Sequence, residues 1–124
     1  MSVTLTFPSD TANVALARTL AASMSARADL PLDQLEDVRL AVDEAVSQVI
    51  LDAPAGSDIT CTFHVDGTDL DITISAPSTS RTVPPQDTFS WTVLRALVET
   101  VTADVTADVV SLRLQVRRHV PADA

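Results

Sequence analysis

Glu44 and Gln48 stand four residues apart in the run VRLAVDEAVSQVI (38–50), so on a helix their side chains are neighbours on one face. A glutamate on the sheet side of such a helix can act as a general base, and an amide one turn later can hold Mg²⁺ or its water. Asp37 and Ala41 extend the same stripe, whereas Asp43 points elsewhere and is spaced to pair with Arg39. As a bare pattern, E-x-x-x-Q is also what a solvated helix face looks like, and spacing alone favours that plainer reading. Other reactive residue types offer less. Ser47 and Ser90 carry hydroxyls without a His–Asp arrangement nearby, so nucleophilic catalysis has no support. His64 lacks a second His or Cys at ligand spacing, and His119 lies in the basic tail RRHV, so no metal site is expected. Cys61 is the only cysteine, which excludes an intramolecular disulfide and fits a reducing cytoplasmic setting.

The elements that must position Glu44 and Gln48 follow from periodicity. SVTLTF (2–7) alternates as a half-buried strand, and Pro8 ends it. Ser9 or Asp10 can cap a helix over about 11–27, with Val14, Ala17, Leu20, Ala21 and Met24 as its apolar stripe and Arg18 beside it. ADLP (28–31) breaks the chain before a second helix, where Asp33 and Glu36 form a plausible capping pair. That helix runs to about Leu51 and buries Leu35, Val38, Val42, Ala45, Val46 and Val49. After the turn DAPAGSD (52–58), strands ITCTFHV (59–65) and LDITISA (70–76) flank DGTD (66–69), an Asp-Gly hairpin turn. PSTSRTVPPQDT (77–88) has three prolines and no period, so it is a loop. FSWTVLRALVETV (89–101) returns to helical spacing, a short extended segment lies near VTADV (101–105), and VVSLRLQV (109–116) alternates as a strand. The order β-α-α-β-β-α-β-β implies an α+β fold, a two-layer sandwich with helices on one face of a mostly antiparallel sheet.

At 124 residues the chain forms one domain, 1–124, able to bury a core without disulfides or metal. Its 8 Lys+Arg against 17 Asp+Glu give a net charge of −9, which argues against nucleic acid as a partner and suits docking on a basic protein. That charge also serves plain solubility. No apolar run is long enough to span a membrane and no signal peptide is evident, so no membrane partner is expected.

The run LEDVRLAVDEAVSQVI (35–50) resembles the second helix of the GHKL-type (histidine-kinase-type ATPase) anti-sigma serine kinases. That helix carries an E-A-x-x-N pattern in which Glu is the catalytic base and Asn a magnesium ligand. The pattern falls here on Glu44-Ala45-Val46-Ser47-Gln48. The family's partner-contacting arginine, in an F-A-R context, falls on Leu16-Ala17-Arg18, and FSWTVLRAL (89–97) is similar to the actinobacterial branch. The resemblance spans almost the whole chain in the right element order.

The departures are concentrated at the nucleotide. In relatives that bind ATP, a D-x-G-x-G motif supplies the adenine-binding Asp and bare backbone. Its place is taken here by Ala76-Pro77-Ser78-Thr79-Ser80, and a second G-x-G falls on Thr88-Phe89-Ser90. The chain's two glycines, Gly56 and Gly67, lie elsewhere in turns. A phosphate cradle needs consecutive N–H groups that no Cβ obstructs, and Gln48 lengthens a ligand that small Mg²⁺ holds tightly in place. Glu44 is thus expected to be a vestigial base, Gln48, Ala76 and Ser78 degenerate nucleotide positions, and Trp91 with Phe89 packing groups filling emptied space.

The resemblance then implies an anti-sigma factor that sequesters an alternative sigma factor by stoichiometric binding and is relieved by an anti-anti-sigma antagonist. It implies a homodimer near the first strand and helix, with Arg18 touching the partner and no cofactor in use. Two alternatives stay open. One is an active serine-protein kinase using ATP and Mg²⁺ through Glu44; the other is an adaptor on the same scaffold that binds no sigma factor.

Overall fold

A computed structural model describes residues 1–119. The elements run β1 (Ser2–Pro8), a 3₁₀ turn (Thr11–Asn13), α1 (Val14–Arg27), α2 (Leu32–Asp52), β2 (Asp58–Asp66), β3 (Asp69–Pro77), α3 (Phe89–Leu97), β4 (Thr100–Thr106) and β5 (Val109–Arg117). The strands form one antiparallel sheet of order β1-β2-β3-β5-β4, and the helices supply the second layer of the α+β sandwich.

Alternation along the strands builds one wall of the core. Ile59, Cys61 and Phe63 of β2, Leu70, Ile72, Ile74 and Ala76 of β3, and Val110, Leu112, Leu114 and Val116 of β5 are all buried. Facing them are Val14, Ala17, Ala21 and Met24 of α1, with Val38, Ala41, Val42, Ala45, Val46 and Val49 of α2. Small residues dominate these helical faces, which lets the two helices lie close together and close to the sheet. The edge strands β1 and β4 bury little by comparison, with half-buried Val3, Leu5, Val101 and Ala103 on their inner side. The β2–β3 turn is the two-residue Gly67–Thr68 connection, with Gly67 at φ +63° where a Cβ would be strained. Burial raises the Cys61 thiol pKa to about 12, so it stays a protonated apolar group.

Local expectations differ from the structure at several points: α1 starts at Val14 behind a 3₁₀ turn rather than at about residue 11, and Leu35 is only half-buried while Gln34 is buried. Helix α2 begins at Leu32 after Pro31, which provides no side-chain cap, and Asp33 falls inside the first turn, its carboxylate accepting the Gln34 N–H at 2.9 Å. The expected Asp33–Glu36 capping pair is therefore not formed, because the helix starts one residue ahead of Asp33, and Glu36 instead meets Arg39 at 3.1 Å. Helix α3 ends at Leu97 rather than 101, because the sheet captures the following chain: Glu99 N–H donates to the Gln115 carbonyl at 3.0 Å and Thr100 pairs with Gln115. Tertiary strand pairing overrides helical spacing there. Buried Gln34 then ties the two layers, donating to the Arg117 carbonyl and accepting from His119 N–H at 3.0 Å. Among the described residues no helix is long and apolar enough to cross a membrane.

Candidate functional site

Helix α2 carries a polar stripe at four-residue spacing: Glu44, Gln48 and, at its last residue, Asp52. Glu44 and Gln48 share the hydroxyl of Ser90, and Asp52 meets those of Ser78 and Ser80. Thr88 caps α3 by accepting the Trp91 N–H on its hydroxyl at 3.2 Å, which sets Ser90 in the first turn facing α2. Ser90 Oγ donates to Glu44 Oε1 and accepts from Gln48 Nε2 at 2.6 Å. The amide, the hydroxyl and the glutamate thus form a hydrogen-bonded chain between two helices, and all three residues are half-buried. Trp91 is buried and roots α3 in the core, although its indole N–H finds no acceptor among the described residues.

Phe89 does not join that packing. It is 83% exposed, because Trp91 and Leu94 take the inward face of α3 and a residue two places before Trp91 must point away from it. The expectation that Phe89 fills the space beside α2 is corrected on that ground.

At the lower end of the stripe Asp52 gathers the loop that follows β3. Its carboxylate accepts from Ser78 Oγ, from Ser80 Oγ at 2.7 Å and from Ser80 N–H at 3.1 Å, and its backbone carbonyl accepts the Thr79 N–H at 2.8 Å. These donors, the Ser78 hydroxyl foremost and the Ser80 hydroxyl next, hold the Asp52 carboxyl below the usual carboxylate range against an opposing pull from burial. Ser78 is itself buried; its N–H donates to the Asp108 carbonyl at 2.6 Å and its hydroxyl accepts the Arg81 N–H at 3.0 Å. Ala76 lies in the core, paired with Val110 across the β3–β5 ladder. Ala76 packs in the core, and the Ser78 hydroxyl and N–H anchor the loop that follows β3.

Between the end of α2 and segment 80–85 lies a cleft of about 230 Å³. Val49, Leu51, Val83, Pro84, Pro85 and Val110 form its apolar walls, and Gln48, Asp52, Ser80 and Thr82 are its polar residues. No lysine or arginine lines it. Among the described residues no cluster of three His, Cys, Asp or Glu side chains offers a metal site.

Arg18 lies apart from this stripe, at the seam of α1 and α2, where Nη1 meets Asp43 Oδ2 at 3.4 Å. The expected Arg39–Asp43 pair is not formed: the packing of α1 along α2 brings Arg18 to Asp43, while Arg39 turns back to Glu36. Asp52 is legible in principle, since it continues the Glu44–Gln48 spacing, although residue type places it in the turn 52–58; the contact of Ser90 has no sequence signal, because it depends on how α3 docks.

The histidine kinase-like ATPase domain family matches residues 7–115. The anti-sigma-F factor RsbW of Mycobacterium tuberculosis, in strains CDC 1551 and H37Rv, is 31% identical over 113 residues, covering 86% of this chain and 67% of the relative. Among solved structures, the RsbU and RsbW domains of a Mycobacterium tuberculosis protein superpose with a TM-score of 0.77 at 14% identity. That match covers 98% of this chain but 34% of the solved one, so the chain spans about a third of that protein and the likeness is one of fold.

Proposed function

This chain belongs to the histidine kinase-like ATPase domain family, and we propose that within it the chain is an anti-sigma factor that works by binding and not by phosphoryl transfer. It captures an alternative sigma factor stoichiometrically and gives it up when an anti-anti-sigma antagonist competes. The likeness to a relative named anti-sigma-F factor supports the first half of this reading. The net charge of −9 supports it too, since a DNA-binding partner is basic and opposite fields speed encounter.

The observation that supports the second half is the cleft at the end of α2, whose lining carries Asp52 and no lysine or arginine. Ser90 engages Glu44 Oε1 and the Gln48 amide nitrogen, a contact within the fold that leaves the Gln48 carbonyl oxygen free. The adjacent cleft offers no cation to a triphosphate and sets the Asp52 carboxylate beside it. A phosphate there would meet repulsion without compensation. Arg18 is the partner contact in this reading: exchanging Asp43 for a carboxylate of the sigma factor costs little, because an exposed pair is weak. A homodimer forms along the first strand and helix, where β1 is an open sheet edge with half-buried Val3 and Leu5.

Titrating the purified protein with ATP and Mg²⁺ in a calorimeter is the direct test. The expected result is no saturable heat, together with co-purification of a sigma factor from the native cytosol. Saturable binding abolished by Glu44→Ala would make the chain a working kinase, and recovery of partners without any sigma factor would make it an adaptor.

A further inference from the structure

We propose that the cleft between the end of α2 and segment 80–85 binds a small, uncharged, largely apolar molecule of one or two rings carrying a hydrogen-bond donor. Its walls are aliphatic and stiff. Val49 and Val110 belong to the core-facing sides of α2 and β5, Pro84 and Pro85 restrict the loop backbone, and exposed Leu51 and Val83 form the rim. At about 230 Å³ it exceeds the roughly 150 Å³ that accommodates benzene in an apolar cavity and falls below the span of common drug-sized sites. Size alone thus points to a compact ring system.

Charge narrows the class further. An anion would find no cationic side chain in the lining and would face the Asp52 carboxylate. A cation would seek that carboxylate, but its oxygens are already taken by Ser78 Oγ, Ser80 Oγ and Ser80 N–H. A neutral ligand avoids both conflicts. The Gln48 amide turns its nitrogen to Ser90, which leaves its carbonyl oxygen as the acceptor for one ligand N–H or O–H. The site is thus a half-open cleft with a polar anchor over an apolar floor, bordered by a loop that contacts Asp52.

Indole is a suitable probe, being neutral, bicyclic and a single donor. Titrated into the ¹⁵N-labelled full chain, it is expected to give saturable amide shifts confined to residues 48–52, 80–83 and 110 and to raise the melting temperature. Val83→Trp, a change at a partly exposed loop position that fills the cleft without entering the core, is expected to abolish saturation while circular dichroism stays unchanged. Indole-3-carboxylate, the anionic analogue, is expected to bind far more weakly. Non-saturating or scattered shifts, indifference to Val83→Trp, or equal binding of the anion would each overturn the assignment. None of these outcomes depends on sigma capture, so the site and the anti-sigma reading can fail separately.

Discussion

The two ends of the α2 polar stripe use the same chemistry for different mechanical ends. At Glu44 the hydroxyl comes from α3, a helix held independently by buried Trp91 and Leu94, so the hydrogen bonds decorate a contact that apolar packing already secures. At Asp52 the hydroxyls come from segment 78–80 of a loop whose next residues are largely exposed, and the carboxylate is the main tie between that loop and the helix. A buried apolar contact survives the loss of one polar group; a loop held by polar contacts, most of them to the Asp52 carboxylate, is weakened far more by it. The first junction is redundant and the second is not.

Asp52→Ala is the largest expected break in this comparison. It strands the buried Ser78 hydroxyl and removes three acceptor contacts, so it should destabilise the fold by about 2–3 kcal/mol and speed amide exchange at Ser80 and Arg81. Urea denaturation and hydrogen exchange would measure it; a loss no greater than that of Glu44→Ala would erase the distinction drawn above.

The same carboxylate has a pH signature of known sign. Its pKa in the fold lies below the ordinary 3.8, so its contribution is complete above that value and is lost as pH falls through the lowered one. The stability gap between the native chain and Asp52→Asn should accordingly be widest near neutrality and narrow in acid, a trend read from denaturation at about pH 6 and about pH 3.

Ser90→Ala should cost about 1 kcal/mol, because half-buried Glu44 and Gln48 can recover partners from water while α3 stays seated. A cost above that of Asp52→Ala would reverse the comparison. The smallest effect on stability belongs to Arg18→Glu, which exchanges a half-exposed ion pair for a repulsion worth at most about 1 kcal/mol. Its larger consequence should be weakened sigma capture in a pull-down, and unchanged capture would remove Arg18 from the proposed contact.

Much of the architecture could be read before any coordinates. The alternations in 59–65, 70–76 and 109–116 place the same residues on the buried face of the sheet as the structure does, and Asp-Gly marked its turn. The site was less legible. Glu44 and Gln48 were found because their spacing is local, whereas Ser90 was set aside for want of a catalytic neighbour and Phe89 was assigned to packing. The Ser90 contact and the exposure of Phe89 have one cause: which side of α3 faces α2 is decided by how Trp91 and Leu94 enter the core, and no spacing within the helix states that. Asp43 shows the same limit. Its i−4 arginine was the local candidate, yet the partner came from another helix.

Sequence alone determined the elements, their order and most of the apolar faces, because each depends on residue type and short-range period. Tertiary structure decided which polar groups meet: Ser90 on Glu44, Ser78 and Ser80 on Asp52, Arg18 on Asp43. Hydrogen bonds act over a few ångströms, so they are settled only after burial of the apolar faces has brought distant segments together.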